Sequence, residues 1–518
     1  QQFRTHRQSE IPAAFQGFHI SDHEIDRLIG DRNQHPDQPW VETQARAMEL
    51  HEAIQHRVAE TQAAGTILRL PYLQQTFQLN PFEMDLVLLA IAPEINLRYQ
   101  KLYAYLQDDV TRKRPSIELA LRLFCCSLEE QVNARTALLN GSPLLEHHLL
   151  LLHEDPGDRP SPLLSYSLKL DDRITEFLLG SDRPDKRLCT PQPLTQQVIP
   201  KHTLADLLLP EVVHIALQHL ISLNTTDSSS VCLLHGPAGV GKQTCAAAIA
   251  RAKKQPLLVL DLPTMLKAES PFPTLLRLAF REARLYRSSL YLNGWHELFT
   301  DATHPPIIRQ IESEIEHFQG LIFAASQTPW QPSLSHRYQF IQIELPLPDE
   351  RSRHLLWQRF LSPKSPEAHL NLDYLASAFR FTPGQIQQAI AHAETHAYLQ
   401  RGTSDDLTQS DLLAGCRTES SQNLVALAQK VTPRRSWPDL VLPKDTLAQL
   451  RELCQQVRHR KQVYTDWGFD QRLSLGKGAI ALFSGDSGTG KTLSAEIIAK
   501  DLGLDLYKID LSLVVSKY

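Results

Sequence analysis

The sequence predicts an α/β chain: two tandem copies of a parallel sheet flanked by helices, the second truncated, preceded by a mainly helical N-terminal region. Three observations predict it. Residues 231–262 and 480–511 align without a gap at an offset of 249 residues (480 − 231), and a repeat of this length implies two copies of one fold. In each copy an apolar run leads into a glycine-rich loop, a helical stretch and a second apolar run, which is the opening of a βαβ unit. Residues 1 to about 190 carry helix caps and amphipathic stretches instead.

At 518 residues the chain has room for about three or four domains. Apolar residues make up 42%, charged residues 21%, and the net charge is −5. That balance is ordinary for a globular protein and exerts no global pull toward nucleic acid or acidic membranes. No apolar run reaches the roughly 18 residues of a membrane span, and no signal-peptide pattern opens the chain. The seven cysteines are odd in number and show no CxxC spacing, as expected of reduced thiols in a soluble, cytoplasmic protein.

Polar, Pro-rich breaks at 153–162 and 181–193, a short polar stretch at 224–230 and a further break near 431–443 divide the chain. The expected units are a helical segment at 1–65, a winged-helix-like domain at 66–190, an α/β subdomain at 195–345 with a helical lid at 346–430, and the start of a second α/β unit at 431–518. Helical sequence fills 21–64. Asn80, Pro81 and Glu83 spell an N-cap, a first-turn proline and a capping box. Ser116 is placed to cap a helix, and Gly180 to end another. The apolar run at 144–154 can pair as a hairpin or pack as a helix. Short helices plus a possible hairpin suit a winged-helix module. Its one compact basic cluster is 108–116, whereas a nucleic-acid reader gathers Lys and Arg on one face. Protein docking is therefore expected, and DNA binding is the alternative.

The glycine loops carry the chemistry. The second reads Gly485, Asp486, Ser487, Gly488, Thr489, Gly490, Lys491, Thr492, then Leu493. Glycines let successive backbone N–H groups face phosphate oxygens, and the following helix adds its positive end. Lys491 is placed to neutralise the β- and γ-phosphates, and the Thr492 hydroxyl to hold Mg²⁺. The motif would arise by chance in a chain of this length roughly one time in fifty. The first loop reads Gly236, Pro237, Ala238, Gly239, Val240, Gly241, Lys242, Gln243, Thr244. Gln243 stands where the metal-binding hydroxyl belongs, and Thr244 is turned about 100° round the helix. The strand expected to end in metal-holding acids, within 288–298, ends in Asn293 and Gly294, with Glu297 as the alternative acid. Slow or no hydrolysis is expected at the first loop, with nucleotide still held through Lys242.

These residues resemble a tandem AAA-type ATPase of the AAA+ superfamily over about 195–518. Residues 493–518 are similar to its helix–strand–pore-loop passage. Residues 320–330 resemble the sensor-1 strand, with Ser326 and Gln327 near the polar sensor position. Residues 335–350 resemble the arginine-finger passage, with Arg337 on the second arginine and Leu334 in place of the first. Residues 379–393 resemble the helical lid, with Gly384 at its sensor-2 turn. The N-terminal region with this layout is also similar to bacterial ATPases that carry an N-terminal winged helix, some of them encoded with contractile injection systems. The resemblance implies ATP or ADP with Mg²⁺ as cofactors and a homo-oligomeric, usually hexameric, ring. Arg337 would complete a neighbour's site in trans, and Tyr518 would begin a pore loop that grips a protein substrate or assembly partner. Glu269 takes the corresponding place in the first copy (518 − 249). Neither a membrane nor nucleic acid is an expected partner. The function implied is an ATP-hydrolysing protein remodeller with a degenerate first site and an active second one. The alternatives are a nucleotide-locked assembly scaffold and a DNA-directed ATPase. Only 27 residues follow Lys491 (518 − 491). The second site's acids, sensors and arginine fingers are therefore expected beyond this sequence, and nucleotide binding at Lys491 is expected to be weak within it.

Overall fold

A computed structural model describes residues 40–139, 141–154, 161–189, 192–223, 229–299, 305–332, 338–361, 370–402, 407–421, 429–459 and 479–509, together with Val463 and Trp467. The N-terminal region opens with α1 (Trp40–Ala63), followed by α2 (Arg69–Phe77), α3 (Pro81–Ile95), α4 (Arg98–Leu106), α5 (Ile117–Phe124), α6 (Leu128–Ala134) and the single turn α7 (Pro143–Glu146). The strands β1 (Leu150–His153) and β2 (Ser167–Leu170) and the helix α8 (Asp172–Leu178) complete it.

Local chemistry accounts for these boundaries. The Asn80 side chain accepts from the Glu83 N–H and Glu83 accepts from the Asn80 N–H, both at 2.9 Å, so two orphan donors at the start of α3 are satisfied reciprocally. Ser116 accepts from the Leu119 N–H and caps α5. Gly180 follows α8 at φ +106°, a conformation that glycine reaches without strain. The run at 144–154 splits: its first residues close α7, and the rest forms β1. β1 pairs antiparallel with β2 from Leu150↔Leu170 to His153↔Ser167. Leu73, Leu86, Val87, Ile117, Leu144 and Ile174 fill the core beneath.

The next unit is built on a six-stranded mixed sheet of order β3-β5-β6-β7-β4-β8. Its strands are β3 (Thr195–Val198), β4 (Ser230–His235), β5 (Leu257–Asp261), β6 (Ser289–Asn293), β7 (Leu321–Ser326) and β8 (Gln339–Glu344). β3 runs antiparallel on the edge and the remaining pairs are parallel. β4, β5, β6 and β7 are almost wholly buried, as parallel strands covered on both faces must be. The covering helices are α9 (Glu211–Ser222), α10 (Lys242–Ala252), the short α11 (Leu262–Leu266), α12 (Phe272–Tyr286) and α13 (Pro305–Glu316). Four helices follow as a lid: α14 (Glu350–Leu361), α15 (Leu372–Ala378), α16 (Pro383–Arg401) and α17 (Gln409–Ser421). The lid has a core of its own around Trp357, Ile386, Ala389, Ala393 and Leu412.

The C-terminal residues form β9 (Gln429–Val431), α18 (Lys444–Arg458), α19 (Lys491–Leu502) and β10 (Leu506–Lys508). β10 pairs antiparallel with β9, as β5 does with β3. Leu506 faces Val431, and Leu257, at the aligned position 249 residues earlier (506 − 257), faces Val198. The parallel sheet expected of the second copy is absent among the described residues. Residues 479–484 carry no strand, and Ile480 and Leu482 are 92% and 93% exposed. In the first copy the corresponding strand β4 lies between β7 and β8.

The N-terminal domain is fastened to α12 by buried charges. Arg281 is 0% exposed, Glu282 and Asp171 are 1%, and Arg173 and Asp185 are 3%. Arg281 donates to Asp185 at 2.6 Å and to the His148 carbonyl at 2.6 Å, and it lies 3.3 Å from Asp171. Arg173 donates to Glu282 at 2.9 Å, while Arg187 bridges Asp171 and Asp185 at 2.8 and 2.6 Å. Burial pushes the Asp185 carboxyl up, but hydrogen bonds from Arg187 and the charge of Arg281 outweigh it and hold the group below the ordinary carboxylate range. Leu285, one turn further along α12, is part of the N-terminal core. Among the described residues no helix is long and apolar enough to cross a membrane.

Removing one partner of a buried ionic network leaves the other charge uncompensated. Asp185→Ala is therefore expected to cost about 3–5 kcal/mol in chemical denaturation and to open the 181–193 connection to limited proteolysis. A change below about 1 kcal/mol, the value of an exposed ion pair, would contradict this reading of the junction.

Candidate functional site

The first glycine loop follows β4 directly. Gly236 (φ +147°), Gly239 (φ +75°) and Gly241 (φ +104°) curl it onto the start of α10. A Cβ on Gly236 would stand 2.2 Å from the Leu345 carbonyl oxygen, so only glycine lets the loop pass beneath the exit of β8. The Lys242 ammonium donates to the Gly236 and Pro237 carbonyls at 2.6 and 2.8 Å. Burial pushes its pKa below the ordinary lysine value. The second loop has the same geometry. Gly485, Gly488 and Gly490 sit at φ +151°, +85° and +88°. Lys491 donates to the Gly485 and Asp486 carbonyls, each at 2.7 Å.

The lid closes on the first loop. Thr382 caps α16 in a capping box with Gln385, which places the next turn against the glycines. The Gly384 N–H donates to the Gly239 carbonyl at 2.9 Å. A Cβ on Gly239 would lie 2.7 Å from the Thr382 hydroxyl, and one on Gly384 would lie 3.0 Å from the Gly239 Cα. The approach is close at both glycines. A Cβ on Gly239, already left-handed at φ +75°, would press on the Thr382 hydroxyl, and one on Gly384 would crowd the Gly239 backbone. Between loop and lid lies a cleft of about 830 Å³. Residues 238–245 form its floor; Leu207, Leu209, Leu356 and Phe360 give it an apolar side; and Asn293, Ser326 and Gln327 lie on the far side. Arg359 of α14 donates to the Asp206 carbonyl and ties the lid to the segment entering the sheet.

Side-chain oxygens line this cleft, among them the Asp206 carboxylate, the Thr244 and Ser326 hydroxyls and the amides of Gln243, Asn293 and Gln327. Gln243 is exposed and offers an amide, and Thr244 lines the cleft one position later. Asn293 ends β6, exposed to the cleft. Gly294 is left-handed at φ +78°, and a Cβ there would meet the Pro263 ring at 2.6 Å, so the turn is built against an acid at this position. Glu297 is exposed and does not line the cleft. Among the described residues lining it, Asp206 is the one carboxylate, and it accepts from the Thr203 N–H and hydroxyl, each at 2.7 Å. Ser326 is buried, its hydroxyl accepting from the Thr328 N–H at 3.2 Å, and Gln327 is exposed.

In the second unit Lys491 and Thr492 are of the types that could hold a Mg²⁺–nucleotide complex: Thr492 is exposed at the start of α19 and offers its hydroxyl. The Leu493 side chain packs against the cluster of Leu440, Leu450 and Ile497. Arg337 and Tyr518 lie outside the described residues, as does Leu334. Glu269 is exposed beyond α11. The apolar wall and the Arg359–Asp206 tie had no signal in the sequence, because they join segments about 150 residues apart.

Family models match the chain in three places. Residues 2–190 match a winged helix domain, variant. Residues 349–422 match the contractile injection system ATPase helical domain. Residues 481–518 match the ATPase family associated with various cellular activities, AAA. A solved structure described as the structural basis for katanin self-assembly is similar at a TM-score of 0.38 and 18% identity, covering 46% of this chain and 92% of that one. No curated protein matches. Residues 481–518, which carry the second glycine loop, are thus similar to the AAA ATPase family. The lid is similar in sequence to the contractile injection system ATPase helical domain.

Gly384→Val would set a branched side chain against Gly239. It is expected to weaken nucleotide binding at the first cleft about tenfold or more, or ~1.4 kcal/mol, with the sheet's thermal unfolding unchanged. Titration with a fluorescent nucleotide measures this. Unaltered affinity would show that the lid does not help form the site.

Proposed function

We propose that the chain is the nucleotide-binding part of a ring-forming AAA+ remodelling or assembly ATPase that serves a contractile injection system. Its first unit holds nucleotide without turning it over, and its second unit hydrolyses it. The observation that carries this reading is the contrast within the first cleft: a complete glycine loop under a closed lid, with Gln243 where the loop hydroxyl is expected and Asn293 and Gly294 where acids are expected. The second loop has the full set, Lys491 and Thr492. Thr492 would hold Mg²⁺ there and Lys491 would lie beside the phosphates; the ion would supply neutralisation of phosphate charge.

Two further observations support tandem copies. The glycine φ values and lysine contacts of the two loops agree, and β9–β10 repeats the pairing of β3–β5 at aligned positions. The match at 2–190 and the β1–β2 hairpin support a winged helix at the N-terminus. In the assembled ring Arg337 would reach a neighbour's nucleotide, and Tyr518 would begin the loop that grips a polypeptide.

A nucleotide-locked scaffold is the second reading. The buried junction on α12 favours it, because it makes the N-terminal domain and the first unit one body. Steady-state turnover by a protein carrying an entire second unit separates the two. On the remodeller reading Lys491→Ala lowers turnover about 100-fold or more, and Lys242→Ala changes it less than about threefold. Turnover unchanged by Lys491→Ala would remove the motor from the second site.

A further inference from the structure

The second glycine loop runs straight into α19, with Gly490 at the N-cap and Lys491 in the first turn. The far end of that helix is closed by Gly503, left-handed at φ +66°. There the Gly503 N–H donates to the Lys500 carbonyl at 3.1 Å and the Leu504 N–H to the Ala499 carbonyl at 2.8 Å. The last carbonyls of a helix need donors from outside it, and two arginines supply them. Arg458 of α18 donates to the Asp501 carbonyl at 3.2 Å and to its carboxylate at 2.9 Å. Arg417 donates to the Gly503 carbonyl at 2.8 Å. Both place positive charge at the negative end of the helix dipole.

Arg417 belongs to α17, a lid helix of the first unit, so this bond crosses from one unit to the other. α17 is locked to its neighbour α16. A Cβ on Gly415 would stand 2.2 Å from the Ala389 carbonyl oxygen and 2.8 Å from the Ala393 nitrogen. The buried Asp411 of α17 also accepts from Arg401 at 2.7 Å and lies 2.9 Å from the His396 ring. α16 in turn starts at the Thr382 capping box, where the Gly384 N–H meets the Gly239 carbonyl of the first loop. Close contacts therefore run from the first phosphate loop through α16, α17 and Arg417 to α19. The 12 residues of α19 carry them about 18 Å further, to Lys491.

We infer that Arg417 is a positioning residue for the second phosphate loop, through which the lid of the first unit sets the end of α19 and thereby the placing of Lys491 and Thr492. It acts through the helix. The inference rests on the reading of the first cleft as a nucleotide site and deepens it. Nucleotide that holds the lid on the first loop would also hold α17, and the restraint would pass along packed, rigid elements to α19. Arg417 is exposed, so its replacement costs the fold little.

The test is amide hydrogen exchange on the chain carrying Lys491→Ala, which confines nucleotide to the first cleft, with and without a non-hydrolysable ATP analogue and magnesium. The analogue is expected to slow exchange about threefold or more in residues 382–390 and also in 495–505. Adding Arg417→Ala should keep the first effect and abolish the second, and Arg417→Lys, which retains a charged donor, should restore part of it. Slowing at 382–390 with none at 495–505 would overturn the coupling. An equal response at 495–505 in Arg417→Ala would remove Arg417 from it, as would faster exchange there by the same factor with and without nucleotide, the mark of a merely structural contact. No slowing at 382–390, or slowing that survives Lys242→Ala, would instead sink the nucleotide reading of the first cleft, and the coupling with it.

Discussion

One backbone hydrogen bond, from Gly384 to the Gly239 carbonyl at 2.9 Å, organises the first unit. It joins the lid to the phosphate loop at a separation that leaves little room for a Cβ on either side. The capping box at Thr382 and Gln385 exists to present that turn, and the pitch of α16 follows from it. With the lid seated, Leu356 and Phe360 wall the cleft opposite Leu207 and Leu209, and Arg359 reaches Asp206. The cleft is therefore an interdomain space whose shape depends on the hinge between sheet and lid. Anything that fills it with negative charge at the loop and apolar surface at the wall will hold the two subdomains together.

A second constraint ties that unit to what precedes it. Arg281 and Glu282 leave the surface of α12 and enter an ionic lattice with Arg173, Asp171, Asp185 and Arg187. Burying so many charges is costly unless each is paired, and nearly every one here is paired across the domain boundary. The N-terminal domain is thus positioned by the first unit as a rigid attachment. In the proposed ring, the quiet first unit would set the geometry of a fixed N-terminal face, and conformational work would fall to the second unit.

What the sequence revealed followed the range of the interaction. The Asn80 and Ser116 caps, the Gly180 helix end and both glycine loops are local, and each formed as expected. The replacement of an acidic strand end by Asn293 and Gly294 was also legible, because it lies within one strand. The run at 144–154 was ambiguous in sequence and resolved as a turn plus a strand only through its partner β2, seventeen residues further on (167 − 150). The α12 junction was not legible. Arg281 and Glu282 look like a solvated helix face until residues 100 positions earlier cover them. The second copy's parallel sheet was expected and did not form among the described residues; in the first copy the corresponding strand β4 is held by β7 and β8, which come much later in the chain than β4 itself.

If the first unit keeps its nucleotide intact, single-turnover hydrolysis shows it: residues 40–430 are loaded with γ-labelled ATP, freed of excess nucleotide and sampled over time. Bound label is expected to remain as ATP long after a working AAA site would have completed a cycle. Stoichiometric release of labelled phosphate on the timescale of seconds would contradict it.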